Sequence, residues 1–370
     1  MGTAFLRRFS AIAFILLGVA VTACTAPEKS PAKSPPVESK AISIAPNDSK
    51  IRYTGRVEVS PEAALYDWAN IQIEFHAQAS QVELLLDDGK NDYNLFIDGT
   101  FERIISTAAD KTSYPLELGE GAHRIKISKR TGPNFGSAAF LGLRLPKGGH
   151  LLDLPPRPIR KIEFIGDSYT VGYGNEGTGL DCGGVYRPYE NSALSYASLA
   201  AQEMNAESHL IAISGYGAVR NYNDANTTSP TPVPFYYGRT LMEREDLPWD
   251  FQRWQPDAVA IKLGTNDHST QPEPLADVFI EGIHGLLERV HSAYGDVPVF
   301  LLADTSLPQV VERMQRATEE QREMGNTKTH FVKLTRPPQE QLGCDWHPLV
   351  VAHRTMATEL VATMKPIMRW

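Results

Sequence analysis

The sequence predicts an α/β domain built on a parallel sheet, preceded by a separate all-β domain. Between about 51 and 155, apolar and polar residues alternate in short runs, the pattern of strands with one buried face. From about 160 onward, short apolar runs alternate with longer helical segments, as in a parallel sheet covered on both faces. The length of 370 residues leaves room for both domains.

Residues 1–24 are predicted to be a leader rather than part of the fold. Arg7 and Arg8 precede an apolar run at 11–23, which is too short for an ordinary membrane span. The run ends at Cys24 and resembles a bacterial lipobox, in which the cysteine is lipidated and the segment before it is removed. A plain secretory signal with an incidental cysteine is the alternative. Thr25, rather than aspartate, favours an exported protein anchored in the outer membrane of a Gram-negative cell.

Residues 25–50 are predicted to be a disordered tether, since prolines alternate there with Ser, Lys and Glu. The all-β domain is placed at 51–155. Its alternating runs lie at 71–75, 82–86 and 125–127, with turn signals at Asp88-Gly89 and Asp98-Gly99. Short strands at this spacing favour a β-sandwich, with a jelly roll as one form.

The α/β domain is placed at 156–370. Its predicted strands lie at 162–165, 210–213, 257–263, 297–303 and 329–334. Its predicted helices lie at 192–204, 275–294 and 310–324, with a last one after Pro348.

Charge and cysteine content narrow the functional classes. The net charge of −8 argues against a nucleic-acid partner, which calls for a basic surface. If Cys24 carries lipid, Cys182 and Cys344 remain, and a pair in an oxidising compartment favours a disulfide. Two separate buried thiols are the alternative.

Chemistry-bearing residues cluster where predicted strands end. Ser168 follows the first strand, Gly215 the second and Asn266 the third, and His347 lies in a segment near the C-terminus. Because open parallel sheets hold ligands at the carboxyl ends of their strands, these residues are expected to meet.

The four segments resemble the conserved blocks of the SGNH, or GDS(L), hydrolases over about 160–366: Gly166-Asp167-Ser168, Ser214-Gly215-Tyr216-Gly217, Gly264-Thr265-Asn266-Asp267 and Cys344-Asp345-Trp346-His347-Pro348. With the preceding Asp98-Gly99, Gly121-Ala122-His123 and Lys129-Arg130, the sequence resembles carbohydrate esterase family 2. This resemblance implies a jelly roll fused to a flavodoxin-like, three-layer α/β/α SGNH domain. It also implies removal of acetyl groups from polysaccharides such as xylan and glucomannan, with no cofactor.

The resemblance makes Ser168 the nucleophile and His347 the general base, a pairing that serine chemistry itself requires. Asp345 is the candidate acid that orients the imidazole. SGNH enzymes commonly carry that acid three residues before the histidine, where this chain has Cys344. A backbone carbonyl orienting the ring is therefore the alternative, and it would give a dyad.

The remaining predicted roles concern substrate. The backbone N–H groups of Ser168 and Gly215 and the Asn266 side chain are expected to form the oxyanion hole. Gly217 is a rival to Gly215. Trp346 either packs beneath its loop or stacks on a sugar, and His268 is either a substrate contact or a loop residue. No metal ligand set of structural-zinc spacing is present in the sequence.

The sequence is compatible with three functions. The first is deacetylation of an acetylated carbohydrate by a lipid-anchored enzyme. The second is an SGNH lipase or thioesterase acting on longer acyl chains. The third is a surface carbohydrate-binding lipoprotein without catalysis.

The short proline-rich connection at 155–158 favours a β domain that shapes the catalytic cleft over one that binds glycan independently.

Overall fold

The computed structural model describes residues 41–370. The predicted leader, Cys24 and most of the predicted tether lie outside the described residues. Residues 41–370 form an all-β part followed by an α/β part, which confirms the predicted fold class.

The all-β part consists of antiparallel strands in two sheets, as far as residues 41–370 show. Its strands are β1 (Ile42–Ile44), β2 (Ile51–Thr54), β3 (Glu58–Val59), β4 (Ala64–Tyr66), β5 (Gln72–Gln78), β6 (Gln81–Asp87), β7 (Asp92–Ile97), β8 (Thr100–Ser106), β9 (Ser113–Glu117), β10 (Ala122–Lys129), β11 (Ala138–Leu145) and β12 (His150–Leu152). One sheet has the order β3-β4-β11-β6-β9, with β1 also paired to β11. The other has the order β12-β5-β10-β7-β8, with β2 also paired to β5. Alternate residues of both sheets join one apolar core, as period-two patterning requires.

The prediction of a disordered tether over residues 25–50 is wrong at the C-terminal end of that segment. Ile42–Ile44 form β1, which pairs antiparallel with β11 through Ile42 and Leu145. Because the partner strand lies about a hundred residues further along the chain, the composition of the segment alone could not reveal this pairing.

The predicted turn at Asp98-Gly99 joins β7 to β8. Asp98 has φ 51° and Gly99 has φ 83°, so both central residues are left-handed, as in a type I′ hairpin turn. Glycine adopts this conformation without the steric penalty of a Cβ.

The α/β part carries a parallel sheet flanked by helices. Its strands are β13 (Arg160–Gly166), β14 (Ala206–Ala212), β15 (Ala258–Lys262), β16 (Val299–Asp304) and β17 (Thr329–Leu334). Its helices are α1 (Ser168–Val171), α2 (Tyr196–Glu203), α3 (Val233–Tyr236), α4 (Thr265–His268), α5 (Ala276–Tyr294), α6 (Pro308–Glu323) and α7 (Val350–Met368). The strand order is β14-β13-β15-β16-β17. The chain adds β14 on one side of β13 and β15 on the other, so the topological switch point lies between β13 and β15. In open α/β sheets a ligand crevice forms at such a point.

The two parts are joined by a buried ion pair. Arg56, between β2 and β3, reaches Glu163 on β13, with 3.1 Å between Nη2 and Oε2 and both side chains fully buried. Arg56 also donates to the backbone carbonyls of Tyr237 and Arg239. The hydroxyls of Tyr237 and Tyr294 donate to Glu163 at 2.8 and 2.9 Å. This network fixes the β part against the parallel sheet of the α/β part.

Arg56→Ala is expected to lower the free energy of unfolding by about 3–5 kcal/mol, because it leaves the Glu163 carboxylate buried without its cation. Chemical denaturation of the purified protein measures the change. Arg144→Ala is the matched control: its ion pair with Glu83 is solvent-exposed, so its removal should cost less than about 1 kcal/mol. Equal effects of the two substitutions would contradict the assigned role of the buried pair.

Within residues 41–370, no helix combines the length and the apolar character needed to cross a membrane.

Candidate active site

Ser168 is the first residue of α1, directly after β13. The Asp167 side chain caps this short helix by accepting from the Tyr169 N–H at 3.0 Å, so Asp167, and not Ser168, is the N-cap. Gly166 permits the tight turn, because a Cβ there would lie 2.1 Å from the Thr170 hydroxyl oxygen. The strand and the cap together hold Ser168 at the carboxyl edge of the sheet.

His347 is brought onto Ser168 from the loop before α7. Its Nε2 lies 2.8 Å from the Ser168 Oγ. Its Nδ1 lies 3.2 Å from the Cys344 carbonyl oxygen and 3.1 Å from that of Asp345. Since a carbonyl can only accept, the proton of the neutral ring resides on Nδ1. Nε2 is therefore the free acceptor that can take the hydroxyl proton.

The predicted role of the Asp345 carboxylate is corrected by this geometry. Asp345 and Trp346 have left-handed φ angles of 50° and 63°. In this conformation the Asp345 carbonyl faces the imidazole, while its Oδ2 accepts from the Tyr173 hydroxyl at 2.7 Å. Backbone carbonyls orient His347, so Ser168 and His347 form a dyad.

The Cys182–Cys344 disulfide holds the loop that carries His347. The structure joins the two cysteines with 5.4 Å between their Cα atoms, so the alternative of two separate thiols is excluded. The Asp345 N–H also donates to the Leu180 carbonyl at 2.8 Å. Left-handed conformations of non-glycine residues are costly and persist only where neighbouring contacts enforce them. The disulfide and the Leu180 contact supply that enforcement.

The three predicted oxyanion donors line one pocket with His347. Among the described residues, the backbone N–H groups of Ser168 and Gly215 have no hydrogen-bond acceptor. The Asn266 amide donates one hydrogen to the Tyr216 carbonyl at 2.8 Å, which leaves its second hydrogen available. Gly215 has φ 86°, and a Cβ on it would meet no atom within 4 Å, so backbone conformation rather than limited space requires glycine there.

Gly217, the alternative to Gly215 as an oxyanion donor, has its N–H engaged by another side chain. Its N–H donates to the Asn221 side chain at 3.2 Å, and a Cβ on it would lie 2.4 Å from an Asp267 carboxylate oxygen. Asp267 accepts from three successive backbone N–H groups at 2.8–2.9 Å, those of Ala218, Val219 and Arg220. It therefore shapes the loop after Gly215, a positioning role that the sequence analysis missed.

The active-site pocket has a volume of about 590 Å³ and is open to solvent. Trp346 lies in its wall and is 58% exposed, so it does not pack beneath its loop. Of the two alternatives for His268, the structure does not support a substrate contact. That ring is buried, its Nδ1 lies 2.9 Å from the Gly264 carbonyl oxygen, and it does not line the pocket.

The β part supplies a wall of the pocket through Asn134 and Phe135. The Asn134 amide donates to the Ser214 carbonyl at 3.1 Å and accepts from the Ser214 N–H at 3.2 Å. It thereby positions the residue before Gly215. Asn134 lies in a single 3-10 turn at Pro133–Phe135. Its role was not predicted from the sequence, since the contact partner lies eighty residues away.

Burial lowers the pKa of the His347 imidazole below its ordinary value of 6.5, and the Asp167 charge and the two carbonyl contacts offset part of this effect. The base works only when it is unprotonated, so activity is lost as pH falls through this pKa. We expect the acid limb of kcat/KM for a small acetate ester to have its midpoint below pH 6.5. A midpoint at or above pH 7 would contradict this.

Among residues 41–370, no group of three or more His, Cys, Asp or Glu side chains is arranged to hold a metal ion.

Two family models match the chain. Residues 53–155 match "Carbohydrate esterase 2 N-terminal". Residues 164–354, more than half of the chain, match the "GDSL-like Lipase/Acylhydrolase family".

Curated relatives include the cellulase/esterase CelE of Acetivibrio thermocellus, which is 33% identical over 337 residues. That match covers 86% of this chain, but the chain spans only 40% of the length of CelE. An acetylxylan esterase/glucomannan deacetylase of Cellvibrio japonicus is 28% identical, with 82% of this chain and 86% of the relative covered.

Among solved structures, a family two carbohydrate esterase from Clostridium thermocellum, in complex with cellohexaose, is 31% identical with a TM-score of 0.80. The alignment covers 86% of this chain and 99% of that one. A family two carbohydrate esterase from Cellvibrio japonicus, at 22% identity, also has a TM-score of 0.80 and shares the fold. With its matched β domain, its GDSL-like domain and a serine–histidine pair at the sheet edge, this chain belongs to the family two carbohydrate esterases.

Proposed function

We propose that this protein is a serine esterase that removes acetyl groups from O-acetylated plant polysaccharides. The observation that carries the proposal is the 2.8 Å contact between the Ser168 Oγ and the His347 Nε2, inside a pocket that also presents unpaired N–H groups. Nucleophile, base and oxyanion donors are the parts that acyl transfer requires.

In the first half-reaction, the Ser168 Oγ attacks the acetyl carbonyl carbon as the His347 Nε2 takes the hydroxyl proton. The carbonyl oxygen becomes an oxyanion, to which the N–H groups of Ser168 and Gly215 and the Asn266 amide donate. When the tetrahedral intermediate collapses, the bond between the acetyl carbon and the sugar oxygen breaks. His347 returns its proton to that oxygen, which releases the sugar as an alcohol.

In the second half-reaction, water attacks the acetyl-serine ester while His347 takes one of its protons. Collapse of the second tetrahedral intermediate breaks the bond to the Ser168 Oγ, which regains the proton. Acetate leaves, and the free hydroxyl is restored. The protonated imidazole of both steps is stabilised by the carbonyls of Cys344 and Asp345, which accept from Nδ1.

Two observations support an acetylated polysaccharide as the substrate. The relatives that match over most of their own length are named acetylxylan esterase/glucomannan deacetylase. Trp346, exposed in the pocket wall, offers an aromatic face of the kind on which a sugar ring stacks.

Acetate release from acetylated xylan, acetylated glucomannan and acetylated hexoses tests the proposal. Purified wild-type protein is expected to release acetate from at least one polysaccharide. A nitrophenyl ester series separates this function from a lipase or thioesterase, because the proposal requires acetate to be preferred over octanoate. Absence of acetate release from the whole panel would refute the carbohydrate assignment.

We also propose that the protein is exported and anchored through lipid on Cys24 to the outer membrane of a Gram-negative cell. The support is the lipobox-like sequence before Cys24 and the Cys182–Cys344 disulfide, which suits an oxidising compartment. Labelled palmitate fed to a Gram-negative host is expected to label wild-type protein and not Cys24→Ser. Unlabelled protein in the soluble periplasm would favour a plain secretory signal.

A further inference from the structure

Glu190 is a buried carboxylate in the wall of the active-site pocket with one oxygen unused by the fold. It is only 1% exposed and directly follows the turn at Arg187–Tyr189. Its Oε1 accepts from the Gly132 N–H at 2.5 Å. Among residues 41–370 its Oε2 has no hydrogen-bond partner. Glu190 lines the pocket, so this oxygen is open to the pocket and is not a fully buried polar atom.

The cations next to Glu190 are engaged elsewhere. The Lys129 Nζ donates to three backbone carbonyls at 2.6–3.1 Å, those of Asp67, Thr131 and Gly132. Arg130 donates to Asn94 and forms its ion pair with Glu176. Burial raises the pKa of Glu190 to about 7, although the Gly132 N–H and the charges of Lys129 and Arg130 lower it in part. A carboxylate buried without a full set of partners costs stability, which points to a partner that arrives with the ligand.

The chemistry of a carboxylate limits what that partner can be. At a pH above its pKa of about 7 Glu190 is ionised. An ionised carboxylate only accepts hydrogen bonds, and an acetyl group has no hydrogen to donate. The sugar that carries the acetyl group has free hydroxyls, which donate. Resting on the proposed function, we infer that Glu190 is a substrate-binding residue whose Oε2 accepts a hydrogen bond from a free hydroxyl of the acetylated sugar.

Glu190→Gln tests the inference with two substrates. Glutamine keeps the shape and can still accept from Gly132 through its carbonyl oxygen. We expect kcat/KM for an acetylated xylo-oligosaccharide to fall about tenfold or more, mainly through KM, because a hydrogen bond to a charged group is lost. For 4-nitrophenyl acetate, which has no hydroxyl, we expect a change of less than about twofold. Equal changes with both substrates would overturn the inference.

A substrate series makes the test independent of how the variant folds. In wild-type protein, one deoxy analogue of an acetylated methyl xyloside is expected to lose about tenfold in kcat/KM against its parent. In Glu190→Gln, the same deletion should cost less than about twofold, since its partner is already gone. Full sensitivity to every hydroxyl deletion in the variant would overturn the inference.

Glu176→Gln is the matched control, a neighbouring carboxylate that pairs with Arg130 and does not line the pocket. We expect it to affect both substrates alike. If wild-type protein releases no acetate from any acetylated sugar, the proposed function fails together with this inference. If wild-type protein is active but Glu190→Gln does not discriminate between the substrates, the inference alone fails.

Discussion

Ser168→Ala and His347→Ala are each expected to lower kcat for 4-nitrophenyl acetate by about 10⁴-fold or more, whereas Asp345→Asn should lower it by less than about tenfold. The first two changes remove the nucleophile or the base, whose atoms lie 2.8 Å apart. Asp345→Asn leaves both carbonyls that contact the imidazole unchanged, because these belong to the backbone. The unequal losses would distinguish a dyad from a triad.

Tyr173→Phe is the matched control for the Asp345 substitution. It removes the 2.7 Å hydrogen bond from the Tyr173 hydroxyl to the Asp345 carboxylate, whereas Asp345→Asn removes the charge of the acceptor and leaves an amide oxygen that can still accept. The two variants should therefore have similar kcat values. A loss of 10³-fold or more in Asp345→Asn alone, with thermal stability unchanged, would mean that the carboxylate turns to the imidazole during catalysis.

Asn266→Ala is expected to lower kcat by about 10²–10³-fold with little change in KM, because an oxyanion donor acts mainly in the transition state. The Asn266 amide is held by the Tyr216 carbonyl at 2.8 Å, so its second hydrogen is aimed before substrate binds. Steady-state kinetics on 4-nitrophenyl acetate measure both constants.

Asn226→Ala provides the comparison for the oxyanion donor. Asn226 is an exposed asparagine whose amide contacts Asp224 at 3.3 Å and does not line the pocket. Its substitution should change kcat by less than about twofold. If Asn266→Ala raised KM and left kcat unchanged, Asn266 would be a ground-state binding residue and the three-donor oxyanion hole would be wrong.

Strand and helix positions in the α/β part were predictable because they follow from local hydrophobic periodicity. The predicted strand at 329–334 coincides with β17 (Thr329–Leu334), and the predicted helix at 275–294 is one residue longer than α5 (Ala276–Tyr294). The predicted strand at 210–213 is too short, because β14 begins at Ala206. Its added residues include Glu207, which pairs with Arg157, and His209, which stacks on Trp254. Polar residues of this kind become strand residues only through such distant partners.

The catalytic pair was predictable for a related reason. Topology brings the carboxyl ends of parallel strands to one edge, so residues at the ends of β13, β14 and β15 meet wherever such a sheet forms. The residue types at those ends then restrict the chemistry. His347 is recognisable by its type and by the resemblance of its segment to a known block, although 179 residues separate it from Ser168.

The order of the two domains and the parallel sheet could be predicted from the sequence, because periodicity is a property of short stretches of chain. The roles of nucleophile, base and oxyanion donors were predicted from the resemblance of four segments to the SGNH blocks. Tertiary structure alone decided that backbone carbonyls orient His347, since two consecutive left-handed residues turn the Asp345 side chain towards Tyr173. It also decided that Asn134 and Glu190 border the pocket. Hydrogen-bond partners depend on which distant segments fold together, and no local pattern encodes that choice.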